Sequence, residues 1–347
     1  MAVTSLSNDG RSRATMRDVA ALAGVSLKTV SRVVNEEPGV SPDVRERVGA
    51  AVRRLDYRPN LAASNLRRTG ARSGLIGALV QDVSNSFSAS LLRALEDAAR
   101  AHRTGVLAAS LDEGVDREQE LVHDLVTRRV DGVVIMPASD RQDYLVAELR
   151  TGTPAVFVDR PPRGVDVDSV VADNALGARL AAEHLLDRGH RRIAALFHLP
   201  QITTASDRRA GFTAAHTDRG LRPDERLVVE GITSTDEASE VVHRLLDLAE
   251  PPTAIFAGRN ILASGAVRAL QERGLHRSVA LVGFDDFPLA DLLDPPLTVI
   301  RQDVSKMGRL VAERLFARIG GDTSPPQHVV VEPTLVARGS GEIPPGA

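Results

Sequence analysis

Between residues 75 and 300 the chain alternates short β-rich apolar runs with helical stretches, and this alternation decides the fold class. The runs are 75–80, 105–109, 132–136, 155–158, 193–197, 227–230, 254–257, 279–282 and 297–300. Between most of them apolar residues recur at helical spacing, as in 87–102, 117–129, 174–188, 207–219, 237–248 and 260–273. Parallel strands need long crossovers, and a right-handed helical crossover is the usual solution. The pattern therefore predicts doubly wound parallel sheets. A length of 347 residues accommodates two of them. Ligands bind such sheets beyond the carboxyl ends of the strands, so the loops after these runs are where a site is expected.

Composition narrows the function classes. Hydrophobic residues make up 43% of the chain, enough to bury a sizeable core. There is no Cys, which excludes a disulfide framework, a thiol nucleophile, an iron–sulfur cluster and thiolate zinc. The longest apolar runs, such as 193–197, fall far short of the roughly 20 residues a membrane span needs. The first 14 residues are polar and carry no apolar segment of the kind found in export signals. The expectation is a cytoplasmic chain with no membrane partner.

Enzyme signatures are missing from the loops after the runs. The stretch 74–79, GLIGAL, lacks the spacing of a dinucleotide fingerprint, and no P-loop, HExxH or GxSxG elbow occurs. The nine His form no metal-ligand pattern; His184 and His190, around a helix end, read as capping or surface residues. Asp166 with Asp168 and Asp285 with Asp286 are carboxylate pairs, but adjacent acids are common in loops and give no acid/base assignment. No catalytic residue, metal site or cofactor is expected, and the chain reads as a non-enzyme.

The net charge of -3 conceals an asymmetry. Residues 1–72 hold 13 Lys/Arg against 7 Asp/Glu, leaving 30 against 39 for the rest. A basic head on an acidic body fits a polyanionic partner, and equally a solvated basic tail. Within the head, 16–23 has apolar residues on one helix face at Val19, Ala20 and Ala23, and Gly24 then ends it. Ser26 is an N-cap for a second helix, 27–34, with Val30, Val33 and Val34 inward. Ser41 and Pro42 start a third helix, whose stripe is Val44, Val48, Ala51 and Leu55 and which Tyr57, Arg58 and Pro59 stop. A small residue at the crossing, a glycine turn and a branched lock on the second helix make a helix-turn-helix frame, whose second helix enters the DNA major groove. Asn60 then caps a short helical piece, 61–68, too short to be stable alone in water. It needs a partner copy or DNA, and it ends in the basic joint Arg67, Arg68, Thr69 and Gly70.

The text TMRDVAALAGVSLKTVSRVVN, followed by VSPDVRERVGAAVRRLDYRPNLAASNLRR, resembles the lactose-repressor (LacI) family of bacterial transcription regulators across the whole head. The resemblance implies that Leu27 and Lys28 read base edges, Lys28 donating to guanine and Leu27 touching a thymine methyl. It assigns Thr15, Ser26, Thr29, Ser31, Arg32, Asn35, Tyr57 and Asn60 to phosphate or sugar contacts and positioning, with Arg32 in reach of a base. Leu66 corresponds to a leucine that wedges into the minor groove and kinks the duplex, and Ala63 to the point where paired hinge helices approach. Gly39 stands where some members carry a polar phosphate contact.

The body carries the resemblance on to about residue 339, in LVQDVSNSF, DGVVIMPA, VFVDR, DRRAGF, VGFDD and PPLTVIRQD. It implies an α + α/β chain: a three-helix head at 15–59, a hinge helix and linker at 60–71, and a two-lobed periplasmic-binding-protein-like core at 72–340. One lobe is expected from 72–171 and 303–331, the other from 172–300 and 332–340. The effector candidates are the cleft aromatic Phe87, the polar group Asp159, Arg208, the hydroxyl-accepting Asp285, and the weaker Arg160 and Gln302. Carboxylates, guanidinium and an apolar face suit a sugar. Two departures stand out. Thr233 occupies the position that often carries a stacking aromatic, which disfavours a purine. Gly258, Arg259 and Asn260 replace the usual Asn-Asp, which brings a guanidinium near the cleft.

The implied function is a homodimeric repressor on a pseudo-palindromic operator, switched allosterically by a sugar or sugar derivative in the cleft. Inducer and corepressor remain alternatives. The C-terminal SGEIPPGA lacks leucine heptads, so a dimer is expected. The competing class is a solute-binding or sugar-modifying protein with the same two-lobed body.

Overall fold

The computed structural model describes residues 14–34, 37–58, 72–139 and 141–346. The chain divides into two compact units, residues 1–73 and 74–347.

The first unit has three helices, α1 (Met16–Ala23), α2 (Leu27–Val34) and α3 (Pro42–Arg54). Thr15 and Asp18 form a reciprocal capping box at the start of α1: the Thr15 hydroxyl accepts from the Asp18 amide, and the Thr15 amide donates to the Asp18 carboxylate at 2.8 Å. Gly24 closes α1 in the left-handed conformation (φ 64°), which a side chain would resist. The Thr29 amide donates to Ser26 Oγ at 3.2 Å, so Ser26 does cap α2. Ser41 precedes Pro42 at the N-cap of α3 but makes no side-chain cap bond there. The expected inward residues meet: Val19, Ala23, Val30, Val48, Ala51 and Tyr57 are buried, with Val33, Val34, Val44 and Leu55 packed against them. Helix α3 ends at Arg54 with Leu55 as its C-cap, shortly before the predicted stop at Tyr57, Arg58 and Pro59, where Asp56 turns the backbone to φ 44°. The predicted 61–68 helix lies outside the described residues.

The second unit runs β1 (Leu75–Val80), α4 (Ser86–Ala101), β2 (Gly105–Ser110), α5 (Val115–Thr127), β3 (Val133–Ile135), α6 (Leu145–Arg150), β4 (Ala155–Val158) and β5 (Ser169–Ala172). It continues with α7 (Asn174–Asp187), β6 (Ile193–Leu196), α8 (Thr203–Thr217), β7 (Val228–Val229), α9 (Thr235–Leu246), β8 (Ala254–Ala257), α10 (Asn260–Glu272), β9 (Ala280–Phe284) and β10 (Thr298–Arg301). The last elements are α11 (Val304–Ile319), β11 (His328–Val331) and β12 (Thr334–Val336).

Two six-stranded sheets result, in the orders β11-β5-β4-β3-β1-β2 and β12-β10-β9-β8-β6-β7. All pairings in the first are parallel. The second departs from the all-parallel expectation at one edge, where β12 runs antiparallel to β10. The central strands are buried on both faces by helices, which is why they read as unbroken apolar runs rather than alternating ones. Helix α11 returns the chain to the first lobe, where Met307, Val311 and Leu315 join Leu91, Leu95 and Val156 in one core. Each such fully buried aliphatic contributes about 1.5–3 kcal/mol. In the second lobe α7 and α8 cross so closely at Gly211 that a Cβ there would lie 2.0 Å from the Ala175 carbonyl oxygen.

His184 and His190 are neither capping nor surface residues. Both are buried, and both hold the C-terminal segment: His184 Nε2 meets Glu342 at 2.8 Å, and His190 Nε2 meets the Ile343 carbonyl at 2.9 Å. Glu342 in turn accepts from Thr298 at 2.8 Å. Among the described residues no helix is long and apolar enough to cross a membrane.

Candidate functional site

The carboxyl ends of both sheets face one cleft, with an empty volume of about 520 Å³ including its open mouth. From the first lobe, β1 leads to Gln81, Asn85, Phe87 and Ser88, β3 to Met136, and β4 to Asp159 and Arg160. From the second, β6 leads to His198, with Thr204, Ala205 and Arg208 on α8; β8 leads to Gly258, Arg259 and Asn260; β9 and β10 lead to Asp285 and Gln302. All six effector candidates of the sequence lie on this one cleft.

Asp159 and Asp285 occupy matching places in the two sheets. Each is the residue just past a central strand, each has a left-handed backbone (φ 70° and 69°), and each amide donates to the neighbouring strand region, at Val170 and Ile300. Aspartate tolerates that conformation better than most residues. The bend turns both carboxyls out of the strand line and into the cleft. Burial pushes Asp159 up, against the pull of Arg160 and Arg208. Asp285 accepts from the Gln302 amide at 2.6 Å, which leaves Gln302 Oε1 buried and without a partner.

Arg208 is buried and held from three sides. Its Nε donates to Asn174 at 2.8 Å, one terminal nitrogen donates to the Gly258 carbonyl at 2.7 Å, and the guanidinium lies 3.6 Å over the Phe284 ring. The Asp285 carboxylate is 3.8 Å away. Burial pulls Arg208 down from the ordinary arginine value, and the nearby Arg259 and Arg160 add to this. The side chain is thus fixed in position before any ligand arrives.

Arg160 lines the cleft but is not a free ligand donor. Both terminal nitrogens donate to Glu113, each at 2.7 Å, and one donates also to the Pro137 carbonyl at 2.8 Å. Its Nε is buried without a hydrogen bond, 3.7 Å from the Asp159 carboxylate. Burial pushes Glu113 up, but the hydrogen bonds and charge of Arg160, with the charge of Arg259, outweigh it and hold the carboxyl at about 2. His198 Nδ1 lies 2.8 Å from the Ile232 carbonyl and can only donate there; its Nε2 then accepts from Arg259 at 3.1 Å.

Sequence reasoning missed Glu113, Asn85, Asn174 and His198. Nothing in their local text marks them, since each acts through a partner remote in the chain. Thr233 requires a correction. It does not line the cleft; its amide and hydroxyl bond the Glu237 carboxylate at 2.8 and 3.1 Å, just before Ser234, the N-cap of α9. The expected guanidinium at Arg259 is on the cleft wall.

On the head, Leu27 is 44% exposed and Lys28 is exposed, both at the start of α2. Ser26 and Thr29 share a hydroxyl hydrogen bond at 2.9 Å beside them. Arg32 pairs with Glu37 at 3.7 Å and stays half exposed. Thr15 is engaged in its cap, and Tyr57 is buried in the head core, so its ring acts there first as packing. Ser31 is half-buried on α2. Asn35, Asn60, Ala63 and Leu66 lie outside the described residues. No group of three or more possible metal ligands occurs among the described residues.

Comparison with known proteins agrees with both units. Residues 15–60 match the model of bacterial regulatory proteins of the lacI family, and residues 182–341 match a periplasmic binding protein-like domain. The chain is 32% identical to catabolite control protein A of Priestia megaterium over 307 residues, covering 88% of this chain and 92% of that protein. It is 32% identical to the ribose operon repressor of Escherichia coli (strain K12) over 330 residues, covering 94% and 99%. The lac repressor dimer bound to operator and the anti-inducer ONPF superposes with a TM-score of 0.84 at 31% identity, covering 95% of this chain and 99% of that one. With a lacI-type head, a periplasmic-binding-protein-like core and relatives matched over nearly their whole length, the chain belongs to the LacI family of bacterial regulatory proteins.

Proposed function

We propose that this chain is a sequence-specific transcriptional repressor whose operator affinity is switched by a small polyhydroxyl effector in the cleft, most simply a sugar or sugar derivative. The observation that carries the reading is the convergence of Phe87, Asp159, Arg208, Asp285 and Gln302 on one cleft. Fixed carboxylates, an unpartnered amide oxygen and a clamped guanidinium recognise hydroxyls, and an aromatic edge covers a ring. Relatives named ribose operon repressor, and a lac repressor solved with operator and ONPF, support the class.

In this reading Leu27 and Lys28 face base edges, while Ser26, Thr29, Ser31 and Arg32 face the backbone. Thr15, Tyr57, Asn35 and Asn60 position the head on the duplex, and Ala63 and Leu66 act in the paired hinge. Two copies present two heads to a pseudo-palindrome. Effector binding changes the lobe arrangement and so the spacing of the two hinges, and only its differential affinity for the two arrangements shifts the equilibrium. The protein works in the cytoplasm, without catalysis and without a cofactor.

The test is selection of duplexes from a random pool by the full chain, followed by gel shift with a metabolite panel. A pseudo-palindromic consensus, released or tightened by a small molecule, is the expected result. Salt-sensitive binding with no consensus, or turnover of a bound sugar, would overturn the proposal.

A further inference from the structure

The cleft holds three guanidiniums, and they are not equally neutralised. Arg160 donates to both oxygens of Glu113, so that pair is balanced. Arg208 has Asp285 at 3.8 Å. Arg259 forms no ion pair among the described residues; the group it touches is His198 Nε2, at 3.1 Å. Because an arginine N–H can only donate, His198 Nε2 is the acceptor in that contact, and Nδ1 donates to the Ile232 carbonyl. Glu113 feels the Arg259 charge and lies 3.8 Å from His198 Nε2, but both its oxygens are committed to Arg160. Arg259 is therefore oriented by one bond, half exposed on the cleft wall, with other N–H groups left to offer.

The backbone adds to this field. Helices α4, α8 and α10 all begin at the cleft: Phe87 and Ser88, Thr204 and Ala205, and Asn260 are first-turn residues that line it. Helix α8 starts after Ile202 with no side-chain cap. Helix amino ends carry partial positive charge and unpaired N–H groups, and they favour anions. Asp285 and Asp159 favour the charged form of Arg208, but Arg259 sits close enough to work against it. An anion between them would relieve that repulsion.

We propose that the effector is a polyhydroxyl compound carrying one anionic group, a phosphate or a carboxylate, seated against Arg259 and the first turns of α8 and α10. Its hydroxyls meet Asp159, Asp285 and Gln302 on the same cleft. This deepens the reading of the cleft as the effector site and rests on it. Asp159 and Asp285 make the arrangement selective: they accept hydroxyls and repel a misplaced anion, so the ligand binds in one orientation.

The experiment uses the full chain, thermal shift and calorimetry. The probes are glucose, glucose 6-phosphate and gluconate, ribose and ribose 5-phosphate, and inorganic phosphate alone. The proteins are the natural chain, Arg259→Gln and Arg259→Lys. At least one charged sugar is expected to bind about tenfold or more tighter than its neutral parent, as a charge-assisted contact allows. Arg259→Gln should erase that advantage and Arg259→Lys should keep most of it. Phosphate and carboxylate are separated by which charged member responds. Neutral sugars binding as tightly as charged ones, or an advantage that survives Arg259→Gln, would overturn this inference and leave the effector cleft standing. Inorganic phosphate binding as tightly as any sugar phosphate would overturn the polyhydroxyl part. Silence from every sugar, charged or neutral, would count against both readings.

Discussion

Glu113→Gln tests whether the buried ion pair behind the cleft wall stabilises the core. Glu113 sits at about 2 in the folded chain against an ordinary 4.5. That difference is worth about 3 kcal/mol of folding free energy at neutral pH, at 1.36 kcal/mol per unit. Because the folded value is the lower one, the contribution is complete above the ordinary value. It falls to about 1.4 kcal/mol near pH 3 and almost vanishes near pH 2, as the folded carboxyl takes up its proton. Gln keeps the shape but leaves the Arg160 charge buried beside a neutral amide, which adds to the loss. The core should melt about 6–12 °C lower at pH 7, taking about 2–4 °C per kcal/mol for a unit this large. Thermal melts of the full chain and the variant, followed by circular dichroism from pH 7 down to pH 3, measure both quantities. The gap should narrow steadily with acid. Replacing Arg160 by Met in the Glu113→Gln background removes the stranded cation and should recover part of the loss. A variant as stable as the natural chain at pH 7, or a deficit that stays constant down to pH 3, would refute the argument.

Other expectations follow from the same geometry. Lys28→Ala should lower affinity for the selected duplex by about 1–3 kcal/mol while sparing non-specific binding, read by competition gel shift; unchanged discrimination would remove Lys28 from base reading. Arg208→Ala should abolish the effector response and leave duplex binding in place, read by gel shift with and without effector; a retained response would show that the Asp285 side of the cleft is not used. Gly211→Val should destabilise the second lobe by about 3 kcal/mol or more, because the Ala175 carbonyl lies 2.0 Å from where its Cβ must go. An unchanged melting curve would refute the close α7–α8 crossing.

What the sequence made legible was what depends on near neighbours. Helices α1 and α2 begin and end where the apolar spacing, Gly24 and Ser26 place them, because caps and turns are set within four residues. Strands β1, β4 and β8 coincide with their apolar runs, since burial on both faces leaves no alternation to misread. Strands β5, β11 and β12 escaped notice. Strand β11 is exposed on alternate residues at a sheet edge, and β12 sits on the antiparallel edge, so neither needs a continuous apolar run. His184 and His190 were misjudged because their partners, Glu342 and Ile343, lie about 150 residues away. The cleft was half legible. Its acids and Arg208 sit in recognisable text, whereas Glu113 gains its meaning only through Arg160, 47 residues on. Thr233 shows the opposite error: a position inferred by analogy, whose side chain is already bonded to Glu237 in the first turn of α9.

The way the lobes meet explains why a small ligand could govern a large rearrangement. Across the cleft mouth Asn85 and Asn260 exchange amide hydrogen bonds, both at 3.1 Å, and Asn260 also donates to Ser86 at 3.0 Å. Arg163 donates to Thr203 at 3.2 Å. These are neutral or exposed contacts worth about 1 kcal/mol each net, so together they hold the observed arrangement by only a few kcal/mol. The lobe interiors are a different case: each has its own buried core and cannot deform continuously. A soft joint between two stiff bodies is a two-state element. Reversing a 1:99 population takes about 5.5 kcal/mol of differential affinity. One ligand touching Asp159 in one lobe and Arg208, Arg259 and Asp285 in the other can supply that, because those contacts form together in only one arrangement. Glu113 of the first lobe, 3.8 Å from His198 of the second, puts a fixed charge at the same joint. Ligand recognition and lobe geometry are thus controlled by the same side chains, and a mutation that alters one should be expected to alter the other.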